Sequence, residues 1–200
     1  GDKILDACFK QYAVPVKGQC DVLVSGIPFI SPYNVNSILN PLLIQVMALG
    51  YLFNMYRGSP LIKKDGVMIL YHPCHESFNR THHPSYVEFY HRILSIGTNS
   101  YDIHQYEREF AENPDYIHMY RHRHAYHGVH PFYAWYWGAH GQQWAGKVII
   151  VGGDPTAVRR MGFTPASTMD DAFELASDVV GRSPSITHLH VPSVLVAEVT

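Results

Sequence analysis

Histidine, a residue that can take up a proton or bind a metal near neutral pH, is concentrated in one part of this chain. Twelve of the fourteen histidines lie between His72 and Trp144. This stretch begins with HPCHESFNRTHH (72–83) and contains YRHRHAYHGVHPFYAWYWG (120–138). The tyrosines and tryptophans among the histidines are the kinds of residue that form pocket walls. We therefore predict that the stretch lines a binding or catalytic site.

The first group of histidines could supply ligands to zinc or nickel, together with Cys74 and Glu76. The spacing of the group matches neither HExxH nor a paired CxxC motif. We therefore predict no metal ligand in this chain, a structural role for most of the group, and a hydrogen bond to substrate from some of its members. A self-contained metal-dependent hydrolase or lyase that uses this group remains the alternative. The four histidines are His72, His75, His82 and His83.

A second group of histidines surrounds a predicted helix that begins at Asn113-Pro114, runs through Tyr126 and stops at Gly128. Arg121 and Arg123 on this helix are of the type that binds a carboxylate. The same region contains several acidic residues, and the formal net charge of the chain is −2. Neither nucleic acid nor a membrane is therefore an expected partner.

Three apolar runs must position these residues: CDVLVSG (20–26), GVMILYH (66–72) and KVIIVGG (147–153). Runs this apolar are typical of parallel strands that are buried on both faces. They alternate with helical patterns, such as the one from Pro41 to Met55. The fold class predicted is α/β, with a mostly parallel sheet flanked by helices in a three-layer, Rossmann-like arrangement. Residues 98–146 show little strand signal and are predicted to form a helical insertion rich in histidine and aromatic residues.

Ligands of open α/β sheets bind beyond the carboxyl ends of the strands. The histidine group follows the second strand, and the turn VGGDP follows the third. VGGDP lacks both GxGxxG and GxxxxGK[ST], so we interpret it as a plain turn. If the strands are parallel, all three loops meet at one edge. The loop after the first strand, IPFISPYNVNSILNP, contributes the polar side chains Tyr33, Asn34, Asn36 and Asn40.

The remaining composition is that of a single α/β domain spanning residues 1–200. Three cysteines without a CxxC arrangement indicate reduced thiols and a cytoplasmic setting. The longest apolar run, Leu42 to Phe53, is about half the length that a membrane span needs. The sequence does not begin with methionine, so we expect the chain to be part of a larger protein.

The order of these features resembles the C-terminal domain of the nickel-pincer-nucleotide lactate racemase family. The resemblance runs from about residue 20 to 198. Its first part consists of CDVLVSG, the proline- and asparagine-rich loop, and KKDGVMILYHPC. Its second part consists of VIIVGGDP, MGFTPASTMDDAFELA and ITHLHVP.

The resemblance implies that the nickel cofactor, its anchoring lysine, the nickel-binding histidine and both acid/base histidines belong to an N-terminal domain of the same protein. This chain would then be a substrate-covering domain of a racemase or epimerase of a 2-hydroxy acid or related compound. It would be inactive alone, with no catalytic residue and no bound cofactor of its own. Its partners would be the N-terminal domain and a small-molecule substrate, and a homodimer is left open. The predicted substrate contacts are Tyr33, Asn34, Asn36, Asn40, His72, His75, His83, Arg121 and Arg123.

One departure from the family affects the substrate. The lactate enzyme has a glutamine and a lysine on the helix after the first strand loop, whereas this chain has Leu39, Asn40 and Leu42 in the comparable stretch. A substrate other than lactate is therefore expected. A further hypothesis is a non-catalytic interaction module, whose aromatic insertion binds a partner through Trp135 and Trp137.

Overall fold

The computed structural model describes residues 1–34, 37–190 and 196–200. Asn36 and the first part of the predicted last strand, SVLVAEV, lie outside these residues. Eight strands are present in the described ranges. They are β1 Ala13–Val16, β2 Cys20–Gly26, β3 Tyr56–Arg57, β4 Ile62–Tyr71, β5 Lys147–Val151, β6 Thr164–Ala166, β7 Ile186–Leu189 and β8 Val196–Val199.

Five of the strands form the central sheet, in the order β6-β5-β4-β2-β7. Every neighbouring pair in this sheet is parallel. The predicted parallel sheet is therefore confirmed, and the three apolar runs are its central strands β2, β4 and β5. These strands are apolar along most of their length because both faces of the sheet are covered.

A second, three-stranded sheet has the order β1-β8-β3. No sequence pattern predicts this sheet or β6. The sequence does predict a short strand over SVLVAEV (193–199), and its described part pairs with β1 and β3. The segment KKDG (63–66) is typical of a turn, yet it lies inside β4, where Asp65 has φ 62°. Gly66 is required there, because a Cβ would lie 2.9 Å from the carbonyl oxygens of Asp21 and Lys63.

The helices fill most of the remaining described chain. They are α1 Asp2–Tyr12, α2 Pro41–Gln45, α3 Pro84–Glu88, α4 Leu94–Ile96, α5 Ser100–Ile103, α6 Glu107–Glu112, α7 Pro114–His122, α8 His130–Trp137, α9 Ala139–Trp144, α10 Pro155–Arg160 and α11 Met169–Val180. Two π-helical segments, Val46–Leu52 and Phe89–Ile93, continue α2 and α3, and a 3-10 turn covers His104–Tyr106. No helix in the described ranges has both the length and the apolar character that crossing a bilayer requires.

Helix α7 ends earlier than predicted, at His122 instead of Tyr126. His124 has φ 60°, a left-handed conformation that interrupts a helix. The chain then turns toward α3, where the Tyr126 amide donates to the His82 carbonyl at 2.8 Å. This long-range hydrogen bond gives the Tyr126 amide a partner outside the helix.

Two cores hold the layers together. The larger core packs the sheet against the helices between β2 and β5, and it includes Trp135 and Phe132, both fully buried. The smaller core packs the opposite face against α11. Helix α11 begins at Met169, and Thr168 before it is the N-cap and forms a capping box with Asp171. Helices on both faces of a parallel sheet confirm the predicted three-layer α/β fold.

Candidate functional site

The loops that follow β2, β4 and β5 meet at the carboxyl edge of the central sheet, as the sequence predicts. Backbone hydrogen bonds join each loop to its neighbour. They run from Ile27 N to Tyr71 O at 3.1 Å, from His72 N to Val151 O at 3.4 Å, and from Asp154 N to Pro73 O at 2.9 Å. We refer to this place as the carboxyl edge.

His72 is the predicted contact that lies deepest in the carboxyl edge, with 1% of its surface exposed. Its Nδ1 accepts a hydrogen bond from the Cys74 amide at 2.9 Å. Its Nε2 is buried and has no hydrogen-bond partner within the described residues. Burial, and to a lesser extent the nearby His75 ring, lowers the pKa of His72 to about 4. The ring is therefore neutral at pH 7.

An exposed phenylalanine covers His72. The Phe29 and His72 rings lie 5.0 Å apart between centroids, and 65% of Phe29 is exposed. Phe29 also lines an open groove of about 490 Å³, together with Ile30, Asn34, Ser37 and Ile38. Phe29 was not among the predicted substrate contacts. An aromatic residue in the loop after the first strand could have indicated it.

Cys74 lies next to His72 but has no reactive character. Its side chain is fully buried. Burial raises the pKa of the thiol to about 12, and the Asp154 carboxylate raises it in the same direction. A neutral thiol is a poor nucleophile and a poor metal ligand. The position of Cys74 beside two histidines therefore reflects packing.

The VGGDP turn is a plain turn, as predicted. Asp154 caps α10, and its carboxylate accepts from the amides of Thr156 at 2.8 Å and Ala157 at 3.0 Å. A Cβ on Gly153 would lie 3.1 Å from the Cβ of Cys74. Close packing thus requires glycine at position 153. The Asp154 carboxylate already accepts from the amides that a phosphate would need.

The asparagines of the β2 loop give the loop its shape. Asn34 is buried, and its amide group donates to the carbonyls of Phe29 at 3.1 Å and Ser37 at 2.8 Å. Asn40 caps α2 by accepting from the Leu43 amide at 3.1 Å, while its Nδ2 is buried without a partner in the described part of the chain. Leu39 and Leu42 are fully buried in the core. The stretch that holds a polar pair in the lactate enzyme therefore faces inward here.

Tyr33 and His83 lie together in a second group of rings, which we name the tyrosine–histidine cluster. His83 stacks on Tyr126, with centroids 5.1 Å apart and planes at 4°, and lies 4.7 Å from the Tyr86 ring. The Tyr86 hydroxyl and the His130 Nδ1 are 2.6 Å apart. The cluster consists of Tyr33, Tyr51, His83, Tyr86, Tyr126 and His130.

Burial sets the protonation states of the cluster. It lowers the pKa of His83 to about 4, although the Tyr33 backbone acts in the opposite direction, and it also lowers the pKa of His130. Neither ring nitrogen of His83 has a partner at hydrogen-bond geometry within the described residues. Burial and the hydroxyl of Tyr51, 3.1 Å away, raise the pKa of Tyr33 to about 12. Tyr33, His83 and His130 are therefore uncharged at pH 7.

Arg121 and Arg123 were predicted to contact substrate, but no interaction among the described residues links either of them to His72. Arg121 and Arg123 are exposed at the end of α7. Neither makes a salt bridge or a side-chain hydrogen bond among residues 1–34, 37–190 and 196–200. His75 is also exposed, but it follows His72 directly at the carboxyl edge.

The described ranges contain no group of three or more histidine, cysteine, aspartate or glutamate side chains that could hold a metal ion. His118 and His122 form only a pair, with ring centroids 5.0 Å apart. The metal-dependent alternative therefore gains no geometric support from these residues.

Trp135 and Trp137 of the aromatic insertion differ in burial. Trp135 is fully buried and donates from Nε1 to the Thr98 carbonyl at 2.8 Å. Trp137 is 47% exposed and packs on Tyr51, with centroids 5.0 Å apart. The interaction hypothesis named both tryptophans as a binding surface, and the burial of Trp135 is a correction to it.

The fold is that of an α/β protein in which the loops after three parallel strands meet at one edge of the sheet. No protein-family model and no curated protein matches the chain. Among solved structures, the lactate racemase apoprotein from Thermoanaerobacterium thermosaccharolyticum is similar, with a TM-score of 0.55 and 15% sequence identity. The match covers 98% of this chain and 39% of that chain. At this identity the similarity shows a lactate-racemase-like fold, and the chain spans well under half of that protein.

Proposed function

We propose that this chain is the substrate-covering, C-terminal domain of a lactate-racemase-like isomerase that acts on a 2-hydroxy acid or a related compound. One observation carries the proposal. The loops after β2, β4 and β5 converge at the carboxyl edge, in a fold that matches a lactate racemase over 98% of the chain. Such an edge is where open α/β sheets bind their ligands.

In this proposal the chain binds and orients the substrate. His72 and His75 are the contacts that the geometry favours, because both directly follow β4. Tyr33, Asn34 and Asn40 form and shape the wall beside them. His83 supports that wall from within the tyrosine–histidine cluster, and Arg121 or Arg123 would meet a substrate carboxylate only if the end of α7 lies near the closed site.

The proposal places the cofactor on an N-terminal domain of the same protein, as the family resemblance implies. When bound, the nickel-pincer nucleotide would supply the hydride chemistry at the carbinol carbon. The part left to this chain is to exclude water and to fix the orientation of the substrate.

The test compares this 200-residue chain with the complete gene product that contains it. Each is incubated with a panel of enantiopure 2-hydroxy acids, and stereochemical inversion is followed by chiral chromatography. We expect inversion only with the complete, nickel-cofactor-loaded protein. Turnover by the chain alone, or no inversion of any panel member by the complete loaded protein, would refute the proposal.

A further inference from the structure

The hydrogen bonding of His72 fixes the position of its ring proton. A neutral imidazole carries one N–H and one acceptor nitrogen. Nδ1 accepts from the Cys74 amide at 2.9 Å, so Nδ1 holds no proton. Because the ring is neutral at pH 7, its proton lies on Nε2.

The Nε2–H group is a donor without an acceptor. It is buried, and nothing among the described residues lies at hydrogen-bond distance from it. Buried donors in native proteins are nearly always paired. An unpaired donor beside the loops that converge at the carboxyl edge therefore indicates that an acceptor comes from a bound molecule.

The carboxylates in the loops after β4 and β5 are engaged elsewhere and do not supply that acceptor. Glu76 accepts from the Tyr90 hydroxyl at 3.1 Å and faces His91 at 3.5 Å. Asp154 caps α10. The other nearby titratable group is the exposed His75 ring, which bears no negative charge in either protonation state. The surroundings of Nε2 thus suit an oxygen that is negative or partly negative.

Phe29, from the loop after β2, packs near the His72 ring. It is 5.0 Å from the His72 ring, and it lines the open groove of about 490 Å³. Phe29 is 65% exposed, so few packing contacts hold its side chain. A rotation of this one side chain is the smallest movement that would admit a ligand from the groove.

We propose that His72 donates its Nε2 proton to a carboxylate or carbonyl oxygen of a bound small molecule, and that Phe29 is the movable cover of this site. This inference deepens the proposed function, since a 2-hydroxy acid carries such an oxygen. Binding is nevertheless measured separately from turnover, so either can fail alone.

The experiment is nuclear magnetic resonance of the chain labelled with ¹⁵N. Long-range ¹H–¹⁵N spectra at pH 7 report the tautomer of His72. Titration with each member of the panel of enantiopure 2-hydroxy acids, with sodium chloride as the ionic-strength control, reports binding. We expect the Nε2–H tautomer and a saturable shift of the His72 Nε2 signal on addition of at least one panel member. His72→Phe, which retains a ring without a donor, should abolish the remaining saturable shifts at the carboxyl edge.

The cover is tested with Phe29→Ala, and with Phe29→Leu if the alanine variant is unstable. Removing the cover should raise the pKa of His72 toward its ordinary value and increase the affinity for the 2-hydroxy acid that the wild type binds. Ile38→Ala, which alters the same groove, should change neither quantity. An Nδ1–H tautomer, or no saturable response in both the wild type and the Phe29 variant, would overturn the site. Identical behaviour of the Phe29 and Ile38 variants would overturn the cover.

Discussion

The carboxyl edge and the tyrosine–histidine cluster both contain a histidine whose pKa burial lowers to about 4. Their surroundings differ. His72 is held by a backbone amide and covered by one exposed ring, Phe29. His83 lies between the fully buried Tyr86 and the stacked Tyr126. A ligand could reach His72 by displacing one surface side chain, whereas access to His83 would require core residues to move.

The comparison shows that histidine density in the sequence does not identify the functional histidine. Most of the histidines in the 98–146 region are exposed or packed among tyrosines, and that region contributes five buried residues to the larger core. What distinguishes His72 is its position directly after a central strand and beside a surface groove. The three predictions that follow test this difference, beginning with the largest effect.

The first prediction concerns the structural character of the aromatic insertion. Trp135→Ala should lower the free energy of unfolding by about 3–5 kcal/mol, because it removes a fully buried indole and its hydrogen bond to Thr98. Trp137→Ala, at a half-exposed position, should cost about 1 kcal/mol. Urea unfolding followed by circular dichroism measures both. Equal, small losses would mean that the insertion is not part of the core.

The second prediction is an acid-sensitive stability due to the buried histidines. His72 and His83 have pKa values of about 4 in the folded state and 6.5 in the unfolded state. Between pH 6.5 and 4 the unfolded chain binds protons that the folded chain excludes, so stability falls as the pH falls through this window. At about 1.4 kcal/mol per pKa unit, the loss by pH 4 is roughly 3 kcal/mol for each ring.

Urea unfolding at pH 7.5 and pH 4.5 measures this loss. His83→Phe should reduce the difference between the two pH values, since it removes one of the titrating rings. Ile38→Ala changes no titrating group and should leave the difference as it is in the wild type. A His83→Phe variant with an unchanged pH dependence would show that His83 is not held neutral by the cluster.

The third prediction concerns Asp154, a residue that shapes the carboxyl edge by capping α10. Asp154→Ala should lower the free energy of unfolding by about 1 kcal/mol, because α10 loses its cap. Asp178→Ala, at an exposed position late in α11, should change it by less than about 0.5 kcal/mol. Thermal unfolding compares the two. A stabilising effect of Asp154→Ala would contradict the capping role.

Local signals explain why much of the fold could be predicted. β2, β4 and β5 are nearly continuous apolar runs because they are central in a sheet covered on both faces. The cap at Thr168 and the start of α2 at Pro41 depend on nearby residues alone. These signals remain readable without knowledge of the tertiary structure.

The features that were missed depend on contacts between distant segments. β1 pairs with β8, from the opposite end of the chain, so the sequence of neither strand shows this pairing. The end of α7 is accompanied by the hydrogen bond between Tyr126 and His82. At the site, the position of His72 after a strand was visible in the sequence, but its cover by Phe29 depends on how two loops pack.

The most direct test of the account is the activity of the complete, cofactor-loaded gene product with a single change at His72. His72→Gln keeps hydrogen-bonding capacity and similar size, and His118→Gln on the exposed face of α7 is the matched control. We predict that His72→Gln lowers kcat/KM for stereoinversion of the best 2-hydroxy acid at least about 10-fold, which corresponds to about 1.4 kcal/mol of transition-state stabilisation. The melting temperature should stay close to that of the control. Equal kcat/KM values for the two variants would contradict the assignment of the carboxyl edge as the substrate-facing surface.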